Sequence, residues 1–73
     1  MYIHEAVSLA MATRKDIRRT TSEEWRFLVV EPTNDRRGCF IFPKSYGKRD
    51  RYENSRWVPT ADELMADDWE LVN

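Results

Sequence analysis

Two short apolar runs, each followed closely by a proline, constrain this chain more than any other feature. Phe27-Leu28-Val29-Val30 precedes Pro32, and Cys39-Phe40-Ile41-Phe42 runs into Pro43. β-Branched and aromatic residues dominate both runs, as suits a half-buried pleated surface. Proline cannot donate to a β-ladder, so each run ends near its proline. Between them, Thr33-Asn34-Asp35 favours a turn, and Gly38 opens the second run. The pattern predicts an antiparallel hairpin whose first strand extends from Trp25 to Glu31. Phe27, Phe40 and Phe42 are expected to pack inside it.

The flanks supply helices and more strands. Ile3, Ala6, Val7 and Ala10 recur at helical spacing, and Leu9 and Met11 widen the apolar face. This predicts a helix from Ile3 to about Thr13, with Arg14 and Lys15 where cations suit a helix C-terminus. Asp16 to Thr20 reads as a short strand with Ile17 inward. Arg51-Tyr52, a Glu53-Asn54 turn and Arg56-Trp57-Val58 read as a second, shorter hairpin. Thr60-Ala61-Asp62-Glu63 is a capping box behind Pro59, so a short helix is expected from Ala61 to about Ala66, with Leu64 and Met65 inward. Asp68 to Val72 alternates polar and apolar residues like an edge strand, with Trp69 anchoring it to the core. The fold class expected is α+β, an N-terminal helix and a short C-terminal helix packed on an antiparallel β-sheet. No repeat or linker interrupts residues 1–73, which read as a single domain.

A chain of 73 residues has a thin core. Cys39 is its only cysteine, so it can form no disulfide within itself, and a thiolate zinc site is not expected. Self-association is the remaining reinforcement. No apolar run approaches the roughly 20 residues that cross a bilayer, and no basic segment precedes a long apolar stretch at the start. The expected setting is cytoplasmic, away from membranes.

The net charge of −1 hides a segregation. All twelve Lys and Arg lie between Arg14 and Arg56, together with seven acids, which leaves that stretch at +5. From Ala61 onward there are five acids and no base. Either the fold balances these charges on a solvated surface, or the arginines line a site for a phosphorylated ligand.

Catalytic sets are missing. His4 is the only histidine and falls in the first helical turn; Cys39 falls in an apolar strand. Asp62, Asp67 and Asp68 lack calcium-loop spacing, and Gly38 and Gly47 are too few for a phosphate loop. Neither an enzyme activity nor a metal or cofactor is expected. What remains is aromatic residues interleaved with arginine: Trp25-Arg26-Phe27, Arg51-Tyr52 and Arg56-Trp57. Rings stack on bases and guanidinium groups hold phosphates. For Trp25 and Trp57, core packing is an equally open reading.

The segment Trp57-Val58-Pro59-Thr60-Ala61-Asp62-Glu63-Leu64-Met65-Ala66-Asp67-Asp68-Trp69-Glu70 resembles the closing signature of a family of small phage proteins. In that signature Trp-x-Pro-Ser/Thr leads, after two more residues, to an acid and Leu, and then to Ala-x-Asp-Trp. The start is similar too: Glu5-Ala6, an apolar helix, Lys15-x-Ile17-x-Arg19, then Trp25. The family includes the second type of Thoeris anti-defence protein, a sponge for signals made by bacterial TIR-domain enzymes, and a reported anti-CRISPR member. The chain departs from it at Thr13 or Arg14 and at Arg26, where the family usually has glycine.

The resemblance implies a homo-oligomer, dimer or tetramer, with pockets between protomers. It implies Trp25 and Trp57 as stacking aromatics and Asp62 as a reader of ribose hydroxyls or a base edge. Side-chain chemistry, rather than the motif, adds Arg26, Arg51 and Arg56 as phosphate clamps. The function expected is capture of a cyclic nucleotide immune signal, of the glycocyclic ADP-ribose type, without cleavage, in the cytoplasm of an infected bacterial cell. The alternatives are a sponge for cyclic dinucleotides, and an anti-CRISPR or other protein-directed inhibitor. No nucleic-acid partner is expected.

Overall fold

The computed structural model describes residues 1–47, 51 and 55–72. Its first element is helix α1, Ile3–Thr13, which buries Ala6 and Ala10 as the spacing predicts. Glu5 caps its start by accepting from the Tyr2 N–H at 3.0 Å. The helix stops on Arg14, whose backbone is left-handed at φ 58° and ψ 45°. The Ala10 carbonyl there accepts from the Lys15 N–H at 3.0 Å. A side chain in this conformation costs roughly 1 kcal/mol, which glycine avoids. This is the turn in which the family resembled usually carries glycine. Arg14→Gly should therefore raise the unfolding midpoint by a few degrees, measured by circular dichroism.

Four strands follow: β1 Asp16–Arg19, β2 Leu28–Glu31, β3 Phe40–Pro43 and β4 Trp69–Val72. They form one sheet in the order β3-β2-β1-β4, and every neighbouring pair is antiparallel. The expected hairpin is β2–β3, with Val29 opposite Phe42 and Val30 opposite Ile41. The expected edge strand is β4, with Ile17 opposite Leu71 and Arg18 opposite Glu70. The α+β architecture is therefore as read from the sequence.

The first apolar run departs from expectation. Glu23–Arg26 is a 3₁₀ turn, and the strand starts at Leu28 rather than Trp25. On a continuous strand Trp25 and Phe27 would share a face. The turn separates them: Trp25 is 2% exposed and Phe27 71%. The larger ring takes the space in the core, and Phe27 lies outside, with the Arg26 guanidinium 5.7 Å from its centroid.

Register divides the sheet into two faces. Ile17, Val30, Ile41 and Trp69 lie on the face covered by α1, where they join Ala6, Ala10 and Trp25 in the main core. Asp16, Val29, Glu31 and Phe42 alternate to the other face. Arg51 closes that second face, as its contacts below describe. After β3, Ser55–Trp57 runs along the sheet edge, with Phe40 bridged to Arg56. The Ile41 N–H donates to the Ser55 carbonyl at 2.8 Å and the Trp57 N–H to the Cys39 carbonyl at 2.9 Å. Of the second hairpin expected from the sequence, Tyr52 of the first limb and the Glu53-Asn54 turn lie outside the described residues. Its described second limb pairs with β3.

Helix α2, Ala61–Met65, starts on the expected capping box. Thr60 N–H donates to Glu63 Oε1 at 2.7 Å, and Glu63 N–H donates to Thr60 Oγ1 at 3.3 Å. Leu64 and Met65 do not face inward: they are 51% and 68% exposed. Trp69 fills the core beside the helix, and its indole Nε1–H donates to the Glu63 carbonyl at 2.9 Å. Among the described residues no helix is long and apolar enough to cross a membrane.

Candidate ligand site

Three indoles gather beside the 3₁₀ turn. The Trp69 ring meets Trp25 at 5.1 Å and 73°, and Trp57 at 5.6 Å and 74°. Trp25 and Trp57 are 6.2 Å apart at 87°. Edge-to-face geometry of this kind adds cohesion beyond burial. It also commits the rings. Trp25 is buried, so its faces serve the core; Trp57 is half-buried and keeps part of its surface outside.

A cleft of about 230 Å³ opens next to this cluster, lined by Arg18, Arg19, Thr20, Ser22, Trp25 and Arg26. Three arginines, two hydroxyl-bearing residues and a tryptophan form a lining whose chemistry suits a phosphate attached to a sugar and a base. Strand β1 supplies Arg18 and Arg19, and the turn supplies Ser22, Trp25 and Arg26. Arg26 is exposed and reaches Glu23 at 3.5 Å.

The acidic end of the chain lies against this basic strand. Arg18 Nε donates to Glu70 Oε1 at 2.7 Å, and Arg19 Nε donates to Asp68 Oδ1 at 2.9 Å. Asp68 Oδ2 also accepts from the Thr21 N–H at 3.3 Å and from the Thr21 hydroxyl. The segregation seen along the sequence is thus partly cancelled by the β1–β4 pairing. Asp68 raises the Arg19 pKa through their hydrogen bond, against desolvation. Burial opposes ionisation of Asp68, but the bonds from Arg19 and Thr21 outweigh it and bring the carboxyl to about 2 from an ordinary 3.8. A depressed acid stabilises the fold above its unfolded pKa and loses that contribution as pH falls through the folded one. Urea midpoints should therefore drop between about pH 4 and pH 2, and Asp68→Asn should flatten that drop while lowering stability at neutral pH.

The six site residues expected from the sequence fall into two groups. Trp25 and Arg26 line the cleft, Trp57 touches Trp25, and the charge of Asp62, exposed in the first turn of α2, acts on Arg19. Arg51 and Arg56 stand apart from them. Arg56 is exposed and bridged to Phe40, whose register places it on the sheet's second face. Arg51 is committed to internal partners. Its NH1 donates to Asp16 Oδ1 and Glu31 Oε1, each at 2.9 Å, and its NH2 to Asp16 Oδ2 at 2.7 Å. Its guanidinium lies 4.9 Å from the Phe42 centroid. The bond to Asp16 raises the Arg51 pKa most; burial opposes this and Glu31 adds to it. The phosphate-clamp role expected of Arg51 meets a side chain that is 6% exposed with both terminal nitrogens engaged.

Arg18, Arg19, Thr20 and Ser22 were not among the expected site residues, and Arg19 entered only through the Lys15-x-Ile17-x-Arg19 resemblance. Their signal in the sequence was weak, because they neighbour no aromatic residue and the cleft needs the 3₁₀ turn that sequence pattern reads as strand. Among the described residues, no three His, Cys, Asp or Glu side chains group as metal ligands. His4 is exposed and stacks on Tyr2 at 6.2 Å. Cys39 Sγ lies 4.0 Å from the Thr33 carbonyl.

The Ala-x-Asp-Trp ending now has a physical meaning: Asp68 clips the basic strand and Trp69 fills the core. No curated protein and no solved structure matches the chain. The family model of the Thoeris anti-defense 2-like domain matches residues 1–72, and the chain belongs to that family.

Proposed function

We propose that this protein binds a cyclic nucleotide immune signal, of the glycocyclic ADP-ribose type, and sequesters it without cleaving it. The observation that carries this reading is the cleft lined by Arg18, Arg19 and Arg26 together with Thr20, Ser22 and Trp25. Guanidinium forks match phosphate oxygens, and hydroxyls match ribose. Trp57 and Asp62, at the margin, contact the base and ribose. Arg56 reaches the ligand only if a second protomer brings its opposite face to the site. Family membership supports an anti-defence role against Thoeris, and the exposed Phe27, Val58, Leu64 and Met65 support a homo-oligomer, dimer or tetramer.

The decisive experiment incubates purified protein with glycocyclic ADP-ribose, removes free ligand, denatures the protein by heat and analyses what is released. Intact ligand is expected; a cleaved product would show an enzyme instead. Trp57→Ala should leave a folded protein, since the ring is only half-buried, while weakening binding by about tenfold. A variant that folds and binds normally would remove Trp57 from the site. Light scattering of the eluted protein gives the oligomer, and a monomer at every concentration would refute self-association.

A further inference from the structure

Resting on that reading of the cleft, we propose that Asp68 and Glu70 are positioning residues for a ligand phosphate, each fixing one arginine of the cleft by its Nε alone.

A carboxylate beside an arginine in an anion site either competes with the ligand or orients the donor. The molecule contains both kinds of contact. Asp16 takes NH1 and NH2 of Arg51, and Asp35 takes Nε and NH2 of Arg37, so each occupies one edge of a fork. At Arg18 and Arg19 the carboxylates accept from Nε only. Among the described residues, the terminal nitrogens of these two arginines donate no hydrogen bond to the protein. Those nitrogens are the ones that hold a phosphate in fork geometry.

The orienting groups are themselves fixed. Asp68 is tied through its second oxygen to the N–H and hydroxyl of Thr21, and its backbone carbonyl accepts from the Thr20 N–H at 3.0 Å. One residue thereby holds Arg19 and the Thr20–Thr21 corner that borders the cleft. Glu70 is set directly opposite Arg18 by the β1–β4 register. Arginine is rich in rotamers, and immobilising it before the ligand arrives removes part of the entropy cost of binding. The acids therefore raise affinity although they carry the ligand's own sign.

The test is a double-mutant cycle on binding of glycocyclic ADP-ribose, measured by calorimetry. Asp68→Asn should weaken binding about fivefold to tenfold, the cost of one unfixed side chain. In an Arg19→Gln background the same change should have almost no further effect, because Asp68 acts through Arg19. Asp68→Asn lowers stability in either case, whereas a merely structural role would leave the two effects on binding independent. Equal or tighter binding by Asp68→Asn, or independent effects, would overturn the proposal. Glu70→Gln, at a partly exposed side chain, repeats the test through Arg18 if Asp68→Asn does not fold. If the unmodified protein ignores glycocyclic ADP-ribose, the proposed function fails on its own. The cycle is then run with inorganic pyrophosphate by NMR shift titration, and absence of binding there overturns the positioning role as well.

Discussion

Replacing Arg51 by Met should unfold most of the protein at physiological temperature. The substitution leaves Asp16, whose side chain is 5% exposed, and Glu31 without their cation. Removing one partner of a buried ion pair costs about 3–5 kcal/mol, because the remaining charge stays desolvated. A domain this small has a total stability at the low end of the usual 5–15 kcal/mol, roughly. The melting midpoint should fall by about 15–30 °C. The companion test is Asp16→Leu with Arg51→Met. An apolar replacement of the pair should recover most of the loss, since well-packed hydrophobes often equal a buried ion pair. If the single variant melts normally, the second face of the sheet does not depend on Arg51.

Trp69→Ala should be comparably damaging through a different term. The ring is 1% exposed and is the common neighbour of Trp25 and Trp57. Truncating a buried aromatic costs about 3–5 kcal/mol, part transfer and part cavity. Its loss also leaves the Glu63 carbonyl without the indole donor that fastens α2. Chemical denaturation should show the lower midpoint, and Trp57 fluorescence should shift to the red in the native baseline. Trp69→Phe, which retains most of the volume but not the N–H, should lie between the two.

Much of this architecture was legible because local signals agreed with the global fold. The helical spacing of Ile3, Ala6, Val7 and Ala10 and the Thr60–Glu63 capping box each specify a structure within one turn. The β2–β3 hairpin is local as well, marked by its prolines and turn residues. The misreadings share a cause. Trp25 lies in a 3₁₀ turn, and Phe27, Leu64 and Met65 point outward, because three indoles compete for one small core. That competition is a property of the packed chain and leaves no period in the sequence. The cleft was only half legible for a similar reason. Arg26 and Trp25 were visible as neighbours in sequence, whereas Arg18 and Arg19 are held by Glu70 on β4 and by Asp68 just before it. Arg51 resembled a clamp because its sequence neighbours cannot reveal Asp16 and Glu31 across the sheet.

The position of β1 between β2 and β4 has a consequence for how the protein is made. Its inner edge is satisfied by a strand that follows shortly after it. Its outer edge waits for Trp69–Val72, with Arg19 and Asp68 separated by 49 residues. Closing so long a loop is entropically expensive and slow relative to forming a hairpin. On the ribosome, β1 therefore stays half-paired, and Arg18 and Arg19 stay unfixed, until the last strand has cleared the exit tunnel. The candidate cleft and the sheet are completed in the same late step, which joins the proposed site to the closing of the fold.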